Sequence, residues 1–241
     1  MRTERVSAGS FDMNKFLHGG YERDIITTIY GPGGSGKSNL CMIVAVSQAR
    51  KGNKVIFIDS EGGFSTDRFK QIHRGTKDEV ESALSNIILL KPTSFKEQEE
   101  AFDTLLKHLK KENVSLIIVD SIAMLYRLEL GSAITSEDDK KISEINRKLA
   151  SQLRTLNEIS RKQNITVIVT NQVYSLFSDN PMEKKVSMVG GDLLKYWSKC
   201  LIELANVKGR RVMRLKKHRS LPQKELAFEI VNEGIRKRGL F

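Results

Sequence analysis

One octapeptide constrains this 241-residue chain more than anything else in it. Gly31-Pro32-Gly33-Gly34-Ser35-Gly36-Lys37-Ser38 fits the pattern G-x-x-x-x-G-K-[ST]. Its glycines let backbone N–H groups turn inward around phosphates, where side chains would block the approach. Lys37 places a cation on the β- and γ-phosphates, and the Ser38 hydroxyl is a Mg²⁺ ligand. The motif needs a strand before it and a helix after it. Ile25–Tyr30 reads as that strand. Ser38–Arg50 reads as the helix, apolar on most sides and therefore buried.

The remaining pattern alternates short Ile/Val-rich runs with longer amphipathic ones, as βαβ units do. Strands are expected at Lys54–Asp59, Ile87–Leu90, Leu116–Asp120 and Ile165–Thr170, nearly continuously apolar as in sheets covered on both faces. Ser94 with Glu97 predicts a capping box. Ile142, Ile145, Leu149, Leu153 and Leu156 predict a long helix from near Ser136. After Cys200, Leu201–Ala205 and Arg211–Lys216 read as a hairpin turning around Lys208-Gly209-Arg210, with Leu226–Val231 as a third strand. The expected fold is α/β: a mostly parallel twisted sheet flanked by helices, with an antiparallel C-terminal edge. Residues 1–24 form an N-terminal segment and 25–241 one core domain.

Composition narrows the class. Two cysteines and four scattered histidines argue against a disulfide scaffold and a zinc finger, and suit a reducing compartment. No apolar run approaches a membrane span, so a cytoplasmic protein is expected. The net charge is +11, and thirteen Lys/Arg against four Glu place nine of those charges after Leu194. Such a tract suits a polyanion such as nucleic acid; a solvated lysine-rich surface is the alternative.

Three further strand ends carry candidate chemistry. Asp120 closes an apolar strand; beside a phosphate loop such a carboxylate holds Mg²⁺ through water, and an ordinary Asp at a buried strand's carboxyl edge is the alternative. Glu61, just past Asp59, is placed to orient and deprotonate an attacking water; a surface Glu beside a Gly-Gly turn is the alternative. Gln172, in Val169-Thr170-Asn171-Gln172, is a neutral sensor of a γ-phosphate or a plain loop amide.

Together these segments resemble the RecA/RadA recombinase core, in particular its short archaeal paralogues. The likeness begins at Ser7-Ala8-Gly9-Ser10 and His18-Gly19-Gly20, and runs through the phosphate loop, Phe57–Gly62, Val119-Asp120-Ser121 and Thr170-Asn171-Gln172-Val173. Met188–Gly191, Leu221-Pro222 and Asn232–Ile235 complete it. The resemblance implies ATP and Mg²⁺ as ligands, with Glu61, Lys37 and Gln172 catalytic and Ser38 and Asp120 holding the metal. Gly31, Pro32, Gly33, Gly34, Ser35, Gly36, Lys37 and Ser38 would bind phosphates, and Arg68 would stack on adenine. It also implies two DNA loops, about Arg127–Ser136 and Val173–Val189, the second linked to the γ-phosphate through Gln172.

Departures from the family pattern matter too. The helix-hairpin-helix domain of full recombinases has no counterpart in the 24 residues before the first strand, and no Phe-x-x-Ala subunit tether occurs. Lys217 stands where an acidic residue is usual, as a transition-state cation in trans or a DNA-phosphate contact. The candidate DNA-binding residues are Arg127, Tyr174, Phe177, Lys208, Arg210, Arg211, Arg214, Lys216, Lys217 and Arg219. Period-2 alternation sets Arg211 on one strand face and Arg214 and Lys216 on the other. Tyr174 or Phe177 would stack on unpaired bases, while Trp197 suits the core.

The expected function is that of an ATP-dependent DNA-binding recombinase paralogue in homologous recombination and repair, with a weak ATPase and little strand exchange. Single-stranded DNA is the expected partner, in a nucleoid-associated setting, with a dimer or short assembly. The rival is a nucleotide-switched mediator of a RadA-type recombinase or a Holliday-junction nuclease. A KaiC-like ring ATPase is a third reading. A small-molecule kinase would waste Glu61, and a GTPase would need an N-K-x-D motif that the chain lacks.

Overall fold

The computed structural model describes residues 4–175 and 186–239. A short ribbon pairs β1 (Arg5–Val6) with β2 (Tyr21–Glu22) around α1 (Phe11–Phe16). Then follow β3 (Ile26–Gly31), α2 (Lys37–Ala49), β4 (Lys54–Asp59), α3 (Thr66–His73), α4 (Lys77–Leu84), β5 (Ile87–Leu90), α5 (Phe95–Leu109) and β6 (Val114–Asp120). After α6 (Met124–Thr135) and α7 (Asp139–Gln163) come β7 (Thr166–Ser175), β8 (Val186–Met188) and α8 (Gly191–Trp197). Four strands finish the described chain: β9 (Ser198–Val207), β10 (Arg210–His218), β11 (Lys224–Val231) and β12 (Gly234–Lys237).

The main sheet runs β12-β11-β10-β9-β3-β7-β6-β4-β5, with β8 added to β7. From β9 to β5 every neighbour is parallel, and β10 to β12 are antiparallel. Alternation within each strand feeds two cores. Val55, Phe57, Leu116, Ile118 and Ile168 face α2. Ile56, Ile58, Ile117, Val119, Val167 and Val169 face the α5–α8 layer. Because both faces are apolar the strands read as unbroken hydrophobic runs. Helix α2 buries Leu40, Cys41, Met42, Ile43, Val44 and Val46, which explains its apolar circumference. Val6, Met13, Phe16, Leu17 and Tyr21 join the same core, so the described N-terminal residues pack as part of this body.

Several local expectations are corrected. The region Arg127–Ser136, expected as a loop, is mostly helix α6, and Ser136 caps its end. The next helix starts at Asp139, where the Asp138 carboxylate accepts the Lys141 N–H at 2.9 Å. Ser94 caps α5, but Glu97 reaches back to Thr93 rather than to Ser94, so only half the capping box forms. The complete box is Thr76 with Glu79. The hairpin turns on Lys208 and Gly209 alone, both at positive φ (50° and 76°), the two-residue geometry that matches strand twist.

Candidate active site

Sheet register assembles the site. Gly31 lies beside Gln172, Ile29 beside Thr170, and Asp59 beside Asp120, all along the carboxyl edge. The phosphate loop leaves β3 there. Gly34 (φ 69°) and Gly36 (φ 107°) take left-handed conformations that only glycine adopts at little cost. Gly31 answers to a different constraint: a Cβ there would sit 2.3 Å from the Leu204 carbonyl oxygen on β9.

Lys37 is buried, and its ammonium donates to the carbonyls of Gly31 (3.1 Å) and Pro32 (3.0 Å). Burial lowers its pKa, opposed by the charges of Glu61 and Asp120. Asp120 is fully buried. Burial raises its pKa, against hydrogen bonds from the Thr170 and Ser38 hydroxyls. Its Oδ2 has no hydrogen-bond partner among the described residues, nor has the buried Ser35 hydroxyl. Gly63 lies over this pair, where a Cβ would be 3.0 Å from Ser38 Oγ and 3.4 Å from Asp120 Oδ2. An orphaned carboxylate oxygen, an adjacent hydroxyl and a space kept clear by glycine fit Mg²⁺, which takes one or two protein ligands plus phosphates and water.

Glu61 and Gln172 meet across the site. Gln172 Nε2 donates to Glu61 Oε1 at 3.1 Å, and neither is fully buried. The loop bearing Glu61 is fixed by Asp59, whose carboxylate accepts the N–H groups of Gly63 (2.9 Å) and Phe64 (3.0 Å). Ser60 donates to the Ser121 carbonyl and accepts the Ser121 N–H, tying the ends of β4 and β6 together. Thr170, Asp59, Ser60 and Gly63 were not assigned roles from sequence. Their signal was position, since each stands within five residues of a strand's carboxyl end.

Arg68 is held in one plane by Asn39 Oδ1 (2.9 Å), Gln71 Oε1 (3.0 Å) and the carbonyls of Val231, Asn232 and Gly234. Its edges are committed, so only its faces remain for stacking on a base. Arg127 is exposed on α6 and lines a cavity of about 370 Å³ with Met124, Leu128, Asn171, Gln172 and Val189. The expected second loop is strand at both roots, β7 to Ser175 and β8 from Val186. Tyr174 pairs with Ser187 through the backbone, and Phe177 lies outside the described residues.

The basic tract does not form one patch. Lys208, Arg210 and Arg211 sit at the hairpin tip, beyond the phosphate-loop end of β3. Lys216, Lys217 and Arg219 lie at the other end of β10, about 20–25 Å away by strand rise. Arg214 is paired with Glu203 and Glu225. Arg219 binds Asp24 through two nitrogens and the buried Glu22 at 2.6 Å. Lys217 donates to the Lys195 carbonyl at 2.7 Å, and burial lowers its pKa. Trp197 is partly buried against the α5–α8 core. No helix of the described residues is long and apolar enough to cross a membrane.

Comparison with known proteins agrees with this architecture. The Rad51 family model matches residues 2–238. The DNA repair and recombination protein RadB of Methanobrevibacter smithii is 40% identical over 228 residues, covering 92% of this chain and 92% of its own length. RadB of Methanococcus maripaludis is 39% identical over 224 residues, 92% of this chain and 96% of that protein. RadB of Methanocaldococcus jannaschii is 39% identical over 223 residues, 92% of this chain and 98% of that protein. With a phosphate loop on a parallel sheet, a Glu61–Gln172 pair at its edge and these relatives along nearly its whole length, the chain belongs to the Rad51 family of RecA-type recombinases, as an archaeal RadB-like paralogue.

Proposed function

We propose that the chain binds and slowly hydrolyses ATP, binds DNA, and serves DNA repair and recombination. The observation that carries this reading is the Glu61–Gln172 contact beside an orphaned Asp120 oxygen and the glycine-lined phosphate loop. Ser38 and Asp120 would hold Mg²⁺, which when bound neutralises charge developing on the phosphates. Lys37 exchanges its two carbonyl partners for phosphate oxygens, and Glu61 accepts the proton of the attacking water. Gln172 keeps the Glu61 carboxylate aimed and links it to the strand that enters the second loop. Arg68 offers a flat guanidinium face to the base. Slow turnover follows from the chain's own charges, since Lys217 is committed to Lys195 and Lys37 is the cation placed at the phosphate loop.

Lys208, Arg210 and Arg211, with Arg127 near the second loop, are the proposed phosphate contacts for single-stranded DNA. The test is binding of a labelled oligonucleotide over a salt series. Replacing the three hairpin cations by Ala should flatten the slope of log K against log[salt] by about 2–3. An unchanged slope would overturn that assignment. One observation favours a second reading, a nucleotide-controlled mediator: Arg214 and Arg219 are neutralised within the chain, leaving fewer cations for DNA. Under it, the triple Ala variant would keep its nucleotide-dependent affinity for a recombinase.

A further inference from the structure

We propose that Asn171 is a positioning residue that locks the root of the second loop to the Glu61–Gln172 pair, and so sets how strongly DNA and nucleotide influence one another. Consecutive strand residues face opposite sides. At the end of β7, Thr170 reaches Asp120 and Gln172 reaches Glu61. Asn171, between them, points the other way. It is 1% exposed, and its amide donates to the Val189 carbonyl at 2.7 Å. Val189 is where the chain leaves β8, just before Gly190 turns at positive φ into α8. The Val189 N–H reaches the Gln172 carbonyl at 3.4 Å, a long bond on its own.

Beyond the β7–β8 ladder at Val173–Ser175, the loop root is therefore fastened at two further adjacent residues of one strand. Gln172 holds it weakly by backbone and Asn171 firmly by side chain. A shift of Val189 pulls on Asn171, and Asn171 cannot yield without turning the peptide that carries Gln172. Without the Asn171 bond, the β8 root stays paired with Val173–Ser175 but is tied to the residue that reaches Glu61 only by the long Val189 N–H bond. No other side-chain hydrogen bond among the described residues joins Val189 or Met188 to β7.

The inference rests on the reading of Gln172 as the link between loop and active site, and its test separates the two. Affinity for a single-stranded oligonucleotide is measured with and without a non-hydrolysable ATP analogue and Mg²⁺. The ratio is the coupling between the sites, and linkage makes it the same whichever ligand is varied. Asn171→Ala, and Asn171→Ser as a variant that keeps a polar group too short to reach Val189, should cut the ratio by about ten-fold or to unity, as loss of one buried hydrogen bond permits. Affinity for the oligonucleotide alone should stay within about two-fold. A ratio above unity that both variants retain in full overturns the role of Asn171, even if both melt at lower temperature. A wild-type ratio of one overturns the Gln172 reading, and the inference with it.

Discussion

Replacing Asp120 by Asn should make the nucleotide-free protein more stable. The carboxylate is fully buried, one oxygen is bonded to Thr170, and the other has no hydrogen-bond partner among the described residues. Burying an ion costs several kcal/mol after relaxation. The Thr170 hydroxyl returns about 1.5–3 kcal/mol and the nearby Ser38 hydroxyl a smaller part, leaving a net cost of about 1–2 kcal/mol. An isosteric neutral amide keeps the Thr170 bond and removes that cost. The gain corresponds to about 3–6 °C in a domain of this size. It should shrink on acidification. Burial raises the folded-state pKa of Asp120, so the penalty is present above that value and vanishes as pH falls through it toward the unfolded value of about 3.9. Thermal melts at several pH values, with and without Mg²⁺ and ATP analogue, measure both effects. The variant should lose the Mg²⁺-dependent part of the ligand's stabilisation. A variant less stable than wild type without ligand, or one keeping the full Mg²⁺-dependent gain, refutes the reasoning.

Other sites give equally direct expectations. Gly31→Ala should cost about 2–4 kcal/mol in urea melts, because its Cβ would meet the Leu204 carbonyl oxygen at 2.3 Å and two paired strands must part. Arg219→Ala should destabilise by about 2–4 kcal/mol, since it strips a partner from buried Glu22, whereas the exposed Lys216→Ala should change stability by less than about 0.5 kcal/mol. Glu61→Gln should lower kcat by about 10²–10⁴ while ATP affinity, measured by titration calorimetry, stays within about three-fold.

The sequence carried the sheet and the site unequally. Strands from Ile26 to Thr170 were legible because both faces are covered, which leaves an uninterrupted apolar run ending at a polar edge residue. Asp120, Glu61 and Gln172 could be named from that edge position, but the register that sets Gly31 beside Gln172 is a tertiary fact. The ribbon β1–β2 and the strands β8 and β12 are two to four residues long, too short for a period to show. Helix α6 was missed because Leu128, Ile134 and Gly131 break its amphipathic pattern, two of them being exposed apolar side chains. The basic tract misled most. Arg214 and Arg219 count as free charge in a composition, and only the fold reveals Glu203, Glu225, Glu22 and Asp24 opposite them.

The most direct test of the central claim is ATP hydrolysis at one fixed low salt, with and without single-stranded DNA, with Lys37→Ala as the blank. The account predicts a slow Mg²⁺-dependent rate, lost in Lys37→Ala and Glu61→Gln, that rises when DNA is added. A rate unaffected by either substitution, or one indifferent to DNA, would contradict it.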